Sequence, residues 1–375
     1  MTDRVRVLHV VQNLNFGGME RLIAEMARRT DASRFETHVL ALQYLGHFSE
    51  GLDQYATLHL ADPMSRLSMI RPTALARQIR EIAPQIVHTH SGVWYKAGLA
   101  AHMAKVPFAI HTDHGRQNPD PWTYRMLDRL ASYRTDIVVA VSEALAEKMR
   151  AIVHDPKRVR VVANGVDTER YQPHPYDGFL HRELSLDLAT PLLGSVGRLE
   201  AIKGYEVMIA AFAKLLKEHT AEFSGSLPPK LILIGDGSQR SSLEHAAQQA
   251  GIRDSVYFLG WRSDIEVCLR AFTLFTMSSH SEGTSVSLLE AMSSGLCPVV
   301  TDVGGNPAVL GEALRHRLVP PANPNALATV WLDALCNSER LAQDAIAARQ
   351  RVLDAFSLDA MVRHYEQLYE EGARR

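Results

Sequence analysis

Val5-Arg6-Val7-Leu8-His9-Val10-Val11 is a short β-branched run. Asn13-Leu14-Asn15-Phe16-Gly17-Gly18 breaks it, and a helical pattern follows from Met19 to Arg29. Strand, glycine-rich turn and helix form the opening unit of a doubly wound sheet, whose loops at the carboxyl ends of the strands take ligands. Paired glycines let a backbone approach a ligand closely, and a helix start favours an anion. The turn is not Gly-x-Gly-x-x-Gly, so it argues little for a dinucleotide, and a plain tight turn would use the same residues.

The rhythm continues outward from that unit. Strand-like runs lie at Thr37–Leu42, Gln85–His90, Phe108–Thr112, Ile137–Ser142 and Arg158–Val162, with helical patterns between them. Alternating strands and helices predict a parallel sheet covered on both faces. From Tyr171 to Pro191 the pattern breaks around Pro173, Pro175, Gly178 and Pro191, which reads as a domain boundary. The rhythm restarts with strands at Leu192–Val196, Leu231–Ile234, Val256–Leu259, Ala271–Met277 and Cys297–Thr301, and three helical patterns follow from Pro324 to Gly372. Glu222–Pro229, with Gly225, Pro228 and Pro229, reads as a loop. The fold class is therefore α/β, with two Rossmann-like doubly wound domains.

Composition narrows the class. A chain of 375 residues exceeds the usual size of one core, so two domains are expected. With 40 basic and 42 acidic residues the formal net charge is −2, and bulk electrostatics gives no reason to expect nucleic acid as a partner. Three cysteines, Cys268, Cys297 and Cys336, far apart and odd in number, fit a reducing compartment and form neither a disulfide framework nor a zinc cluster. The opening run lacks the long apolar core of a signal peptide, and no run approaches a membrane span. A cytoplasmic protein is expected, with any membrane contact confined to its surface.

Ligand-competent residues gather at the second domain's strand ends. Ser278-Ser279-His280-Ser281-Glu282-Gly283-Thr284-Ser285 follows a strand, and a helical pattern starts near Thr284 and stops at Gly295. Glu282 stands ahead of that helix and Glu290 about two turns inside it. Unpaired N–H groups at such a start can seat a phosphate while the carboxylates read hydroxyls; a capped helix with an exposed Glu is the plainer reading. Arg198 and Lys203 flank another loop, where two cations could neutralise a diphosphate, although such pairs are more often solvated surface. Gly235-Asp236-Gly237 closes a third strand. Three such loops on one sheet edge make a nucleotide-sized site. The first domain carries His88, His90, His111 and His114 near its strand ends. Metal binding is one reading, opposed by the lack of structural-zinc spacing; His88 and His111 read as packed core, and His114 as a loop residue able to reach a substrate. No esterase elbow or Walker loop is present.

Together these residues resemble glycosyltransferase family 4, retaining nucleotide-sugar enzymes of the GT-B fold. The likeness spans nearly the whole chain. It is most specific in Gly197-Arg198-Leu199 through Lys203-Gly204 and in the spacing from Glu282 to Glu290, with support from Gly17-Gly18-Met19-Glu20, Thr112-Asp113-His114-Gly115, Val141-Ser142-Glu143 and Asn164-Gly165-Val166-Asp167. The opening and the segment Thr112 to Arg116 are similar to sugar transferases of bacterial exopolysaccharide and exosortase systems. The resemblance implies an N-terminal acceptor-side domain over 1–172, a linker region over 173–191, a C-terminal nucleotide-sugar-binding domain over 192–356 and a helix over 357–375 crossing back, with the two domains facing a cleft. It implies that Arg198 and Lys203 hold the donor diphosphate and that Glu282 contacts hydroxyls of the donor sugar. Gly283, Thr284 and Ser285, with Gly197, Gly235 and Gly237, would seat sugar and phosphate, and Glu290 would bind the ribose. Gly17 and Gly18 would line the acceptor side, and His114 would lie near the reacting face of the sugar. It implies no metal or other cofactor, and the chain has no Asp-x-Asp metal motif.

The expected activity is hexosyl transfer from a nucleotide-diphosphate donor to a saccharide or lipid-linked saccharide, for exopolysaccharide or cell-envelope glycan synthesis. The alternatives are a noncatalytic two-lobed nucleotide-sugar-binding protein and an epimerase or phosphorylase of the same architecture. Glu282 and Glu290, on one helix start and roughly 12 Å apart at a 1.5 Å rise per residue, are too distant for the carboxyl pair of a retaining hydrolase. Arg116, Arg125, Arg129 and Arg134 around Trp122, Tyr124, Met126 and Leu127 suggest contact with the inner face of a membrane; an ordinary helix packed on the sheet is the competing reading.

Overall fold

The computed structural model describes residues 4–15, 17–63, 68, 70–115, 121–222 and 227–375, without the side chains of 219–222. Phe16, Arg116 and residues 223–226 of the 222–229 loop lie outside them. The chain divides into two compact units: residues 1–165 with 358–375, and residues 166–357.

In the first unit the strands are β1 (Val5–Asn13), β2 (Phe35–Tyr44), β3 (Thr57–Leu60), β4 (Ile86–His90), β5 (Phe108–Asp113), β6 (Ile137–Ala140) and β7 (Val159–Val161). They form a parallel sheet in the order β3-β2-β1-β4-β5-β6-β7. Val7, Leu8, Val10 and Val11 are all fully buried, because a parallel strand covered on both faces can leave neither side polar. One face packs Val7, Ile86, Phe108 and Ile110 against Leu358, Met361, Val362, Tyr365 and Tyr369 of the helix Leu358–Ala373. The other packs Leu8, Val10, Leu40 and Val87 against the helices Thr73–Ile82 and Trp94–Ala104.

The second unit repeats the plan with β8 (Leu192–Val196), β9 (Lys230–Ile234), β10 (Val256–Gly260), β11 (Leu274–Met277), β12 (Pro298–Thr301) and β13 (Leu318–Val319). Their order is β10-β9-β8-β11-β12-β13, again parallel. Leu193, Leu231 and Leu233 pack with Phe212 and Leu215 of the helix Tyr205–Glu222 and Trp331 of the helix Pro324–Cys336. The indole of Trp331 donates to Thr276 Oγ1 at 3.0 Å, so this large ring is buried with its polar atom satisfied.

Residues 173–191, expected as a linker, fold into the second unit. They carry the short helix Phe179–Glu183, bury Leu180, and hold the His181 ring between Tyr176 Oη (2.9 Å) and the Thr190 carbonyl (3.0 Å). Glu183 pairs with Arg262 at 2.6 Å. The prolines and glycines shape turns there; they do not mark a tether. Ala271 to Thr273 also differ from expectation, since the N–H groups of Ala271 and Phe272 bond back to Cys268 and Leu269 at the end of the helix Ile265–Leu269.

Gly194 sits where a Cβ would lie 1.9–2.3 Å from the buried ring of Phe272. Gly194→Ala forces that ring or the strand to move, and it should cost about 1–3 kcal/mol of stability. Urea unfolding reads this as a lower midpoint with an unchanged slope.

Candidate functional site

Each sheet reverses its winding once, between β1 and β4 and between β8 and β11. Loops at the carboxyl edge diverge at such a point and open a crevice for ligand. The second unit's predicted residues converge there: Gly197, Arg198 and Lys203 follow β8, Gly235 and Gly237 follow β9, and Glu282 to Ser285 follow β11.

Close backbone packing binds these loops together. A Cβ on Gly235 (φ +132°) would lie 2.0 Å from the Gly197 carbonyl oxygen, and one on Gly204 (φ +61°) 2.3 Å from that of Ser278. Gly304 (φ +56°), after β12, approaches the Glu282 carbonyl more closely still, at 1.8 Å for its absent Cβ. Hydrogen bonds complete the lacing: Gly197 N–H to Ile234 (2.9 Å), Leu199 N–H to Asp236 (3.0 Å), His280 N–H to Ile202 (2.8 Å) and Gly305 N–H to Gly283 (2.9 Å). Glu200 accepts from Ser238 through both backbone N–H (3.1 Å) and hydroxyl (2.7 Å), which draws its pKa down, with Arg198 contributing.

At the centre, Lys203 Nζ donates to Glu282 Oε1 at 2.6 Å, and Ser279 Oγ donates to the same oxygen at 2.6 Å. The Glu282 side chain is 7% exposed and that of Lys203 22%, so the pair is largely withdrawn from water. A lysine ammonium has three donors, and this contact uses one. Arg198 is exposed on the same loop. Below it, the buried hydroxyl of Tyr205 is raised well above the usual phenol range by desolvation, against the pull of a hydrogen bond with Ser195; the charge of Glu282 adds to the rise.

The helix expected to start near Thr284 runs from Val286 to Ser293, with Ser285 as its cap; the Leu288 N–H donates to Ser285 Oγ at 3.4 Å. Glu290 therefore lies just over one turn inside and is 2% exposed, where the sequence put it two turns in. Glu282 stands in the loop before the helix, so the separation of roughly 12 Å assumed for a shared helix does not apply. Engagement of the Glu282 carboxylate by Lys203 and Ser279 now speaks against a hydrolase pair.

The first unit's candidates form a separate group. Gly17 caps the helix Gly18–Arg29 without a side-chain bond, and both glycines follow β1. His114 follows β5; its backbone N–H donates to Ser91 Oγ at 3.2 Å, and its Nε2 lies 3.2 Å from His90 Nδ1. His90 Nε2 in turn lies 3.1 Å from His9 Nδ1. His88 is bonded at both nitrogens, to Tyr369 Oη (2.8 Å) and Thr112 Oγ1 (2.7 Å). His111 is core, bonded to Thr89 (2.9 Å) and stacked on Trp94 with centroids 4.0 Å apart. His9, His88 and His90 bring ligand atoms within 4.8 Å of one another, close enough for a metal ion, although both His88 nitrogens already face hydroxyls. The sequence reading missed His9, Ser91 and the two tyrosines. His9 was hidden inside an apolar run, and only the register pairing it with His88 exposes its role.

Two family models cover most of the chain: Glycosyl transferases group 1 matches residues 178–351, and Glycosyltransferase Family 4 matches residues 16–170. The chain is 24% identical to the UDP-Gal:alpha-D-GlcNAc-diphosphoundecaprenol alpha-1,3-galactosyltransferase of Escherichia coli, over 98% of this chain and 97% of the relative. It is 26% identical to the N-acetyl-alpha-D-glucosaminyl L-malate synthase of Bacillus anthracis, over 80% and 79%. Among solved structures, Anabaena Alr3699/HepE in complex with UDP and glucose superposes with a TM-score of 0.83 at 19% identity, over 98% of this chain and 100% of that one. At this identity the likeness establishes the architecture, two Rossmann-like α/β domains of the GT-B type.

Burial lowers His9 and His114 to about 4, from an ordinary value of 6.5, and pushes His88 and His90 well below it. Depressed histidines stay neutral in the folded chain while the unfolded chain takes up protons below 6.5. Stability should therefore be full above pH 6.5 and fall as pH drops from 6.5 towards 4, with His9 alone accounting for about 3 kcal/mol. Urea midpoints measured from pH 7.5 to 4.5 check this, and His9→Phe should flatten the decline.

Proposed function

We propose, because this chain belongs to glycosyltransferase family 4, that it is a retaining hexosyltransferase. In this reading it moves a sugar from a nucleotide-diphosphate donor to a saccharide or lipid-linked saccharide, in exopolysaccharide or cell-envelope glycan synthesis. The observation that carries the proposal is the Lys203–Glu282 pair at 2.6 Å, set at the second sheet's switch point with Arg198 on the same loop. A noncatalytic binding protein needs to hold its ligand; cations gathered where a diphosphate departs suit a reaction.

The roles follow from charge and geometry. Arg198 and Lys203 meet the diphosphate, and Glu282, fixed by Lys203 and Ser279, presents its remaining acceptor sites to sugar hydroxyls. Gly197, Gly235, Gly237 and the Gly283–Ser285 turn seat sugar and phosphate, and Glu290 takes the ribose. Gly17 and Gly18 serve the acceptor side, and His114 serves the reacting face of the sugar. As the bond from the anomeric carbon to phosphate stretches, the leaving nucleoside diphosphate keeps the electron pair, and fixed cations lower the barrier by stabilising that charge. The acceptor oxygen forms the new bond on the same face and its proton passes to a phosphate oxygen, which gives retention without a protein nucleophile. No metal takes part in this scheme. The activity of the Escherichia coli relative makes UDP-galactose the first donor to test and a diphosphoundecaprenol-linked sugar the first acceptor.

Arg198→Ala and Lys203→Ala should each lower acceptor-dependent release of nucleoside diphosphate by about 10²-fold or more. Proton NMR of the product should show the donor's anomeric configuration. Binding without release across a panel of nucleotide sugars and acceptors would instead favour the noncatalytic alternative.

The proposal also places the chain in the cytoplasm against the inner face of the membrane. The helix Trp122–Ser132 and the residue after it leave Trp122 (72%), Tyr124 (57%), Met126 (48%) and Tyr133 (56%) exposed, with Arg125 and Arg129 among them. A helix simply packed on its sheet would bury such residues; this one turns inward Ala131 and, in part, Leu127. Among the described residues no helix is long and apolar enough to cross a membrane, so contact would be peripheral. At low salt the protein should cosediment with anionic vesicles, and Trp122→Ala with Arg125→Ala should weaken this about tenfold. Equal recovery in the supernatant with and without vesicles would discard the membrane contact.

A further inference from the structure

The three rings of His9, His90 and His114 are joined end to end. Nδ1 of His9 meets Nε2 of His90 at 3.1 Å, and Nδ1 of His90 meets Nε2 of His114 at 3.2 Å. The fourth position, Nδ1 of His114, is shielded from solvent and has no hydrogen-bond partner among the described residues. His88, tilted 36° to His90 with centroids 4.1 Å apart, stands outside the series because hydroxyls occupy both its nitrogens.

A neutral imidazole carries one N–H and one lone pair, and each nitrogen–nitrogen contact needs one of each. Two arrangements satisfy both contacts. In one, His9 donates to His90 and His90 donates to His114, which leaves Nδ1 of His114 bearing a proton. In the other every bond reverses, and Nδ1 of His114 carries a lone pair. A change at one end thus rewrites the other, although His9 and His114 are 105 residues apart in sequence, the difference of their numbers. The rings are neutral near pH 7, as the counting requires.

We propose that His9, His90 and His114 act as one tautomer-coupled chain, and that the state of His9 decides whether Nδ1 of His114 donates to, or accepts from, a hydroxyl of the sugar substrate. The last clause rests on the reading of His114 as a sugar-facing residue; the coupling does not. His9 and His90 are then positioning residues for His114. They explain why β1 keeps a buried imidazole between the fully buried Leu8 and Val10.

Ring nitrogen-15 chemical shifts separate protonated from unprotonated nitrogens and need no substrate. The test uses full-length protein labelled at histidine, with His114 identified by the signal lost in His114→Asn. Wild-type protein should show one tautomer at His114. His9→Phe keeps the ring volume but removes the nitrogen through which His9 biases the chain, and the minor tautomer of His114 should rise about tenfold. If His9→Phe does not fold, His90→Asn cuts the same chain and serves in its place. An unchanged His114 tautomer in a folded His9→Phe protein would overturn the proposal. So would a stoichiometric metal ion in the purified protein lost in His9→Phe, since metal would then occupy the nitrogens. If the coupling is found but His9→Phe leaves kcat and KM for sugar transfer unchanged, the chain stands and the sugar-facing role of His114 falls.

Discussion

Backbone touches backbone along the carboxyl edge of the second sheet. Gly235 lies against the Gly197 carbonyl, Gly204 against that of Ser278, and Gly304 against that of Glu282. No side chain larger than hydrogen fits at these points, and all three residues have left-handed φ values that strain any other residue. The polar groups of the site depend on this contact. Lys203 reaches Glu282 because the turn that carries it is drawn under the turn after β11, and Ser279 can share the same carboxylate because Thr301 holds its carbonyl at 2.8 Å. An ion pair made by two long, free side chains would contribute little; one set between laced loops and mostly out of water keeps its geometry before ligand arrives.

Both units share the same winding, yet they do different things with their switch points. The second gathers cations, carboxylates and a capped helix start. The first gathers imidazoles; hydroxyls of Thr112 and Tyr369 engage both nitrogens of His88, and that of Tyr365 meets Thr112. Cations suit a departing diphosphate. Neutral imidazoles suit hydroxyl recognition, because they can donate or accept at little electrostatic cost.

Strands buried on both faces were legible in the sequence, since Val7 to Val11 or Leu231 to Ile234 leave few other readings. β3 was not, because Thr57 to Leu60 at a half-exposed edge lacks that signature. Arg198, Lys203 and Glu282 could be named as candidates from spacing and resemblance, but the contact of Lys203 with Glu282 could not: they lie 79 positions apart in sequence. The start of the Val286 helix was missed by two residues because small polar residues suit both a turn and a first helical turn. His9 escaped notice because register, which no local pattern encodes, brings it beside His88.

The helix Leu358–Ala373 belongs to the core of the first unit, packed on β1, β4 and β5, yet the whole second unit precedes it in the chain. During synthesis the second unit can close as soon as its own residues emerge. The first cannot: the face formed by Val7, Ile86, Phe108 and Ile110 waits uncovered until all of residues 166–357 have been made. Domains ordinarily fold in the order of their emergence. Here that order is inverted, and the histidine-bearing unit is the last to become whole, when Tyr365 and Tyr369 arrive.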